Sequence, residues 1–84
     1  MIVDVREPGE FASKHVNGAI NVPLSQIISG QGLADGVTKD DHVVLYCNSG
    51  NRSGVARQML EAKGYTNVIN GINQQTVEHK YLKT

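Results

Sequence analysis

The segment Tyr46-Cys47-Asn48-Ser49-Gly50-Asn51-Arg52-Ser53 contains the only cysteine of the chain, followed by a short polar run with one central glycine and one arginine. A thiol becomes a nucleophile as its thiolate, and that form is favoured where fixed dipoles and positive charge converge on the sulfur. Gly50 allows a tight reversal that turns backbone N–H groups inward. Those amides, with the N-terminus of a following helix, would form an anion cradle around Cys47. Arg52 adds a planar fork suited to an oxyanion. Ser53 reads as the N-cap of that helix, with a hydroxyl that could also reach a bound anion. Cys47 is therefore the candidate nucleophile, and Asn48, Ser49, Gly50, Asn51, Arg52 and Ser53 are the candidate substrate-binding residues. The plain alternative is that Cys47 is a small buried hydrophobe at a strand end. The composition of the loop after it favours the reactive reading.

The elements that would position this loop can be read from the pattern around it. His42-Val43-Val44-Leu45-Tyr46 is an unbroken apolar run, which predicts a strand covered on both faces in a parallel sheet. Ser53 to Lys63 predicts a helix with Val55, Met59 and Leu60 as its apolar stripe and Gly64 as its C′ residue. A thiol at the carboxyl end of such a strand stands where α/β sheets bind ligands. Ile2-Val3-Asp4-Val5 predicts a first strand, and Pro8, Glu7 and Glu10 suit the start of a helix that Gly18 would stop. Residues 19–22 read as a further strand closed by Pro23. Residues 24–29 read as a short helix through Leu24, Ile27 and Ile28, and 29–41 as loop with room for one helical turn. Asn67 to Asn70 predicts a last strand, and Gln74 to Leu82 a terminal helix with Val77 and Tyr81 on one face. Alternating short strands and helices predict an α/β domain built on a parallel sheet.

At 84 residues the chain has room for one domain, spanning 1–84, whose modest core removes about 60–65% of the unfolded surface from water. Hydrophobic residues at 39% and charged residues at 19% suit a soluble globular domain. Lys plus Arg and Asp plus Glu are eight each, which argues against nucleic-acid binding by bulk charge. No apolar run approaches the ~20 residues of a membrane span. One cysteine forms no internal disulfide, and three scattered histidines give no metal-ligand spacing. No basic segment is visible before Ile2, so either the native chain starts here or a leader was removed and replaced by an initiator Met.

The residues resemble the rhodanese (thiosulfate sulfurtransferase) family. Cys47-Asn48-Ser49-Gly50-Asn51-Arg52-Ser53 is similar to its active-site loop. Asp4-Val5-Arg6-Glu7 with Glu10-Phe11 is similar to its opening segment. His15-Val16-Asn17-Gly18-Ala19-Ile20-Asn21-Val22-Pro23 resembles its His-x-x-Gly-Ala-x-Asn-x-Pro stretch, and Gly64-Tyr65-Thr66-Asn67-Val68 the segment after the active-site helix. The likeness is greatest to short periplasmic members of the phage-shock type. After Val68 the chain departs from the pattern: where the family has a Gly-Gly pair and often a Trp, it reads Asn70-Gly71-Ile72-Asn73.

The resemblance implies a three-layer α/β/α fold with a small parallel sheet and no cofactor, and the small size without a heptad or exposed apolar stripe leads us to expect a monomer. It implies a two-step transfer of sulfane sulfur, from thiosulfate to Cys47 as a persulfide and then to cyanide or a thiol. It implies a periplasmic location, with the cytoplasm as the alternative. A persulfide-carrying or binding module without efficient small-molecule turnover remains the second functional reading. Cysteine-dependent phosphatases and arsenate reductases are a third class, but their arginine stands one residue further from the cysteine than the four-residue spacing of Asn48 to Asn51 places Arg52. Outside the loop, Arg6 is expected to pair with Glu10 or Glu7 as a clamp, and Asp4 to orient loop amides. His15 is expected to fix a turn, His42 and His79 to be solvated, and Arg57 to be either an exposed helix charge or a widening of the positive field.

Overall fold

The structure is a computed structural model that describes residues 1–33 and 36–81. Its elements in chain order are β1 (Ile2–Asp4), α1 (Pro8–Ser13), β2 (Ile20–Asn21), α2 (Leu24–Ile28), β3 (Val43–Cys47), α3 (Asn51–Ala62), β4 (Val68–Asn73) and α4 (Gln74–Tyr81). The four strands form one sheet in the order β2-β1-β3-β4, and every pairing is parallel. The α/β class with helices on both faces is thus as expected.

All five residues of β3 are buried, and the two-residue period of a strand divides them between two cores. Val43, Leu45 and Cys47 join Val3, Val5, Ile27, Ala56 and Leu60 on the face covered by α2 and α3. Val44 and Tyr46 join Val16 and Val77 on the opposite face, where α4 packs. Tyr46 is fully buried there, and its hydroxyl accepts the Val16 N–H at 3.0 Å. The double burial explains the unbroken apolar run, and it sends Cys47 toward α3.

The turn from β3 to α3 depends on Gly50, whose φ is +89°. That left-handed conformation is open to glycine and costly for most side chains. The helix starts at Asn51 rather than Ser53, with Gly50 as the capping residue. Ser53 is therefore not an N-cap: it lies in the first turn and is fully buried. The apolar stripe of α3 also differs from expectation, because Ala56 and Leu60 are buried whereas Val55 is 44% exposed. Likewise Ile28 of α2 points outward and only Ile27 is buried. The C-terminus of α3 follows the sequence: the Gly64 N–H donates to the Glu61 carbonyl and the Tyr65 N–H to that of Leu60, the pattern in which glycine supplies the positive φ.

The last strand is longer than its apolar residues suggested, running to Asn73 rather than ending at Asn70. Leu45 pairs with Asn70 but Cys47 pairs with Asn73, so Gly71 and Ile72 together face Tyr46. One extra residue in β4 makes a bulge beside the end of β3. The Asn73 side chain then accepts the Thr76 N–H at 2.8 Å, which starts α4 without a connecting loop. Leu82, expected at the end of α4, lies outside the described residues.

At Gly71, α4 packs directly against the sheet. A Cβ there would lie 2.6 Å from Val77 Cγ2 and 3.1 Å from the Leu45 carbonyl oxygen. Gly71→Ala is expected to destabilise the fold by about 1–3 kcal/mol through overpacking. Thermal unfolding checks this, with an expected drop in Tm of about 4–8 °C for each kcal/mol.

Candidate active site

Cys47 is 2% exposed, and backbone amides and one hydroxyl lie beside its sulfur. The Gly50 N–H donates to Sγ at 3.1 Å, and Ser53 Oγ lies 3.4 Å away. Burial alone pushes the thiol pKa up, because a thiolate there loses its water. The Ser53 hydroxyl and the amides of Ser53, Gly50 and Ser49 outweigh that burial, so the thiol sits below its ordinary value of 9.0. Of the loop amides, the Gly50 N–H makes a hydrogen bond to the sulfur.

Behind the loop stands Asn70, which the sequence presented as an ordinary strand residue. Its Nδ2 donates to the Gly50 carbonyl at 3.1 Å, and its Oδ1 accepts the Ile72 N–H at 3.0 Å. These two backbone partners set the orientation of the amide group. Oδ1 then faces Ser53 and accepts its hydroxyl proton at 2.6 Å. The contacts close a ring, Cys47–Ser53–Asn70–Gly50–Cys47, that ties the reactive loop to the end of β4. Ser53 has one proton and two acceptors within reach. It can point to Asn70 while the sulfur carries its own hydrogen, and turn to the sulfur when that hydrogen leaves. The signal for Asn70 was available but faint: it shares the period-two face of Val68, where a polar residue must find a partner.

Arg52 forms a two-point ion pair with Glu10, at 2.7 and 3.1 Å, and its side chain remains about one-third exposed. Glu10 also accepts the Asn48 side-chain amide at 3.0 Å and the Glu7 N–H at 3.0 Å. One carboxylate from α1 thus grips the first and fifth residues after Cys47. The Arg52 guanidinium, followed by the Glu7 amide, lowers the Glu10 pKa to about 2. The sequence offered Glu10 as a favourable charge at a helix start and as a partner for Arg6, not for Arg52.

Arg6 is likewise corrected. Its partner is Asp4, not Glu10 or Glu7: Nη2 lies 2.7 Å from Oδ2, and Nε contacts both carboxylate oxygens at 3.0 Å. Asp4 is fully buried and accepts the Arg6 N–H as well, at 2.8 Å, so it orients Arg6 rather than the loop amides. Arg6 in turn holds the Lys14 carbonyl at 2.6 Å, lies over the Tyr46 ring, and reaches Asn48 Oδ1 at 3.5 Å. Burial forces this pairing, since a carboxylate withdrawn from water needs a charged partner at short range. His15 stacks on Phe11 and bonds its carbonyl at 2.7 Å, in keeping with a turn-fixing role. His42 and His79 are exposed. Arg57 pairs with Glu61 on the outer face of α3. Asn51 and Ser49 are exposed on the loop.

This arrangement of a parallel sheet, a buried thiol at the carboxyl end of a central strand and a short amide-lined loop defines a class of cysteine-centred α/β domains. Residues 1–72 match the Rhodanese-like domain model, and the chain belongs to that family. It is 44% identical over 69 residues to the thiosulfate sulfurtransferase PspE of Escherichia coli, a match covering 81% of this chain and 64% of that protein. It is 42% identical over 69 residues to YqhL of Bacillus subtilis, covering 82% of this chain and 52% of YqhL. The matched part thus spans less than two thirds of either relative. Among solved structures, a rhodanese with anions from E. coli superposes with a TM-score of 0.78 at 39% identity, covering 89% of this chain and 87% of the other.

Two measurements probe the site. Ser53→Ala is expected to raise the midpoint of the pH profile for Cys47 alkylation by iodoacetamide, since a donor to the thiolate is lost. Glu10 has a folded pKa depressed from 4.5 to about 2, so its contribution is complete above the unfolded value and disappears as pH falls through the folded one. Between those two values the parent chain is expected to lose thermal stability more steeply than Glu10→Gln, as read from unfolding curves across that window.

Proposed function

We propose that this chain transfers sulfane sulfur from thiosulfate or a related donor, through a Cys47 persulfide, to cyanide or a thiol. The observation that carries this reading is the Cys47 sulfur at the carboxyl end of β3, with the Gly50 N–H directed at it from 3.1 Å. The four-residue spacing to Arg52 also supports it. The loop is one residue shorter than the phosphatase cradle, and its arginine is engaged by Glu10 instead of being presented to a tetrahedral phosphate. The relationship to a thiosulfate sulfurtransferase and the likeness to a rhodanese solved with anions point the same way.

In the first step the Cys47 thiolate attacks the outer sulfur of thiosulfate. A sulfur–sulfur bond forms to Cys47, the bond to the sulfonate sulfur breaks, and its electron pair leaves with sulfite. The second nucleophile then takes the terminal sulfur and the thiolate returns. Splitting the transfer in two gives ping-pong kinetics. Sulfite leaves as a stable anion, so the reaction does not call for a general acid in the loop. The amides along Asn48 to Arg52 would serve the thiolate, the persulfide anion and the sulfonate end of the donor, as preorganised dipoles that need no reorientation during the step.

Intact-protein mass after incubation with thiosulfate is the test. A gain of one sulfur atom that cyanide removes, and that Cys47→Ser does not show, is the expected result. A gain that persists with slow release to small acceptors would favour the persulfide-carrier reading. Absence of any gain would overturn sulfur transfer, and aryl phosphate hydrolysis lost in Cys47→Ser would replace it with phosphatase chemistry.

A further inference from the structure

The Ser53 hydroxyl belongs to a fully buried residue and carries one proton for two acceptors. Asn70 Oδ1 lies 2.6 Å away and Cys47 Sγ 3.4 Å away. A neutral thiol is a weak acceptor, so the proton belongs to Asn70 while the sulfur is uncharged. A thiolate reverses that order, because a hydrogen bond to an ionised acceptor is about twice as strong as a neutral one. Turning to the sulfur costs the hydroxyl its bond to Asn70. The Asn70 amide cannot follow the proton, since its Nδ2 donates to the Gly50 carbonyl at 3.1 Å and its Oδ1 accepts the Ile72 N–H at 3.0 Å. Asn70 is therefore a fixed competitor of the sulfur for one proton.

That competition acts in opposite directions on the two halves of sulfur transfer. In uptake the thiolate loses its charge as it bonds to the outer sulfur of the donor, and the hydroxyl returns to Asn70. In release the acceptor attacks the outer sulfur and the bond to Cys47 breaks. Its electron pair returns to the Cys47 sulfur, and the hydroxyl turns to meet the new charge. A thiol of lower pKa is the weaker nucleophile and the better leaving group. A strong resting acceptor for the Ser53 proton therefore favours uptake, and a weak one favours release.

We propose that Asn70 is a positioning residue that acts through Ser53: by holding the Ser53 proton whenever the Cys47 sulfur is uncharged, it limits how far the thiolate is stabilised and so weights sulfur uptake against sulfur release. The weighting rests on the sulfur-transfer reading given above. The charged groups about the sulfur come from other elements. Arg52 of α3 is paired with Glu10 of α1, and Arg6, which follows β1, is paired with Asp4. Residues 68–73 of β4 and 24–28 of α2, which flank Cys47 on the same face, carry no titratable side chain. Neither ion pair includes Ser53 or Asn70, so their field cancels when one Ser53 substitution is compared across Asn70 variants.

The experiment measures the pH midpoint of Cys47 alkylation by iodoacetamide, with and without Ser53→Ala, in the parent chain, in Asn70→Leu and in Asn70→Asp. In Asn70→Leu the hydroxyl has only the sulfur to bond. The upward shift caused by Ser53→Ala is expected to exceed its parent value there by about 0.7 pH unit, the scale of one neutral hydrogen bond. In Asn70→Asp the carboxylate keeps the hydroxyl, and the shift is expected to fall below the parent value. A merely structural Asn70 would loosen the loop and shrink the Ser53 effect in both variants. Equal shifts in all three backgrounds, or a smaller shift in Asn70→Leu than in the parent, would overturn the proposal. Where Asn70→Leu does not fold, a shift in Asn70→Asp at or above the parent value overturns it. Single-turnover loading from thiosulfate and unloading to cyanide, both above the midpoint and read by intact mass, then test the weighting. Asn70→Leu is expected to raise the release-to-uptake rate ratio about fourfold, from a roughly twofold change in each half, and an unchanged ratio sinks it. The alkylation series needs no sulfur donor, so it fails separately from sulfur transfer: a parent chain that takes up no sulfur overturns that reading and the weighting with it.

Discussion

A thiolate withdrawn from water can exist only if fixed dipoles replace the solvent it has lost, and the hydrogen bond from the Gly50 N–H to Cys47 Sγ, together with the Ser53 hydroxyl beside it, is how this protein meets that condition. The bond requires a backbone reversal immediately after a buried strand, which explains the positive φ at Gly50. It also requires the strand to end at that point and the helix to begin there. With β3 buried on both faces, the direction in which Cys47 points follows from its parity with Val43 and Leu45. The packing of the two cores and the chemistry of the loop are therefore consequences of one placement.

The charged residues hold this loop in shape more than they create its field. Glu10 joins Asn48 and Arg52 across the loop, and the buried Asp4–Arg6 pair fixes the segment leading into α1 while reaching Asn48 from the other side. Arg52 spends its fork on a carboxylate that is one-third exposed. An exposed pair of this kind contributes little to global stability, but a two-point geometry gives it directional value in positioning the loop.

The third support comes from β4. Asn70 links the Ser53 hydroxyl, the Gly50 carbonyl and the Ile72 amide, so that the end of this strand, the bulge and the loop form one hydrogen-bonded unit. The close approach of Val77 to Gly71 packs α4 against the same strand from the opposite face. Ile72, whose φ is +76°, follows directly on Gly71 and donates its N–H to Asn70.

Much of this was legible in the residues. The apolar run of β3, the lone thiol after it, Gly50, and the Gly64 helix end were determined by local pattern, because strand parity, glycine's access to positive φ and capping act over a few neighbouring residues. The α/β class and the candidate nucleophile followed from them. What local pattern could not decide was the partner of each polar side chain. The sequence offers Glu7 and Glu10 to Arg6 at least as readily as Asp4, and it offers Ser53 as a cap at least as readily as a buried neighbour of sulfur. Burial settled the first, since a fully enclosed Asp4 requires the nearest guanidinium. The start of α3 at Asn51 settled the second by turning Ser53 inward. The Glu10–Arg52 pair, the Asn70 junction and the extra residue in β4 all join segments far apart in the chain, at distances set only when the sheet closes and α1 docks beside the loop. The sequence by itself determined which sulfur could react; the tertiary structure decided which groups surround it, because pairing energies depend on distances that exist only after folding.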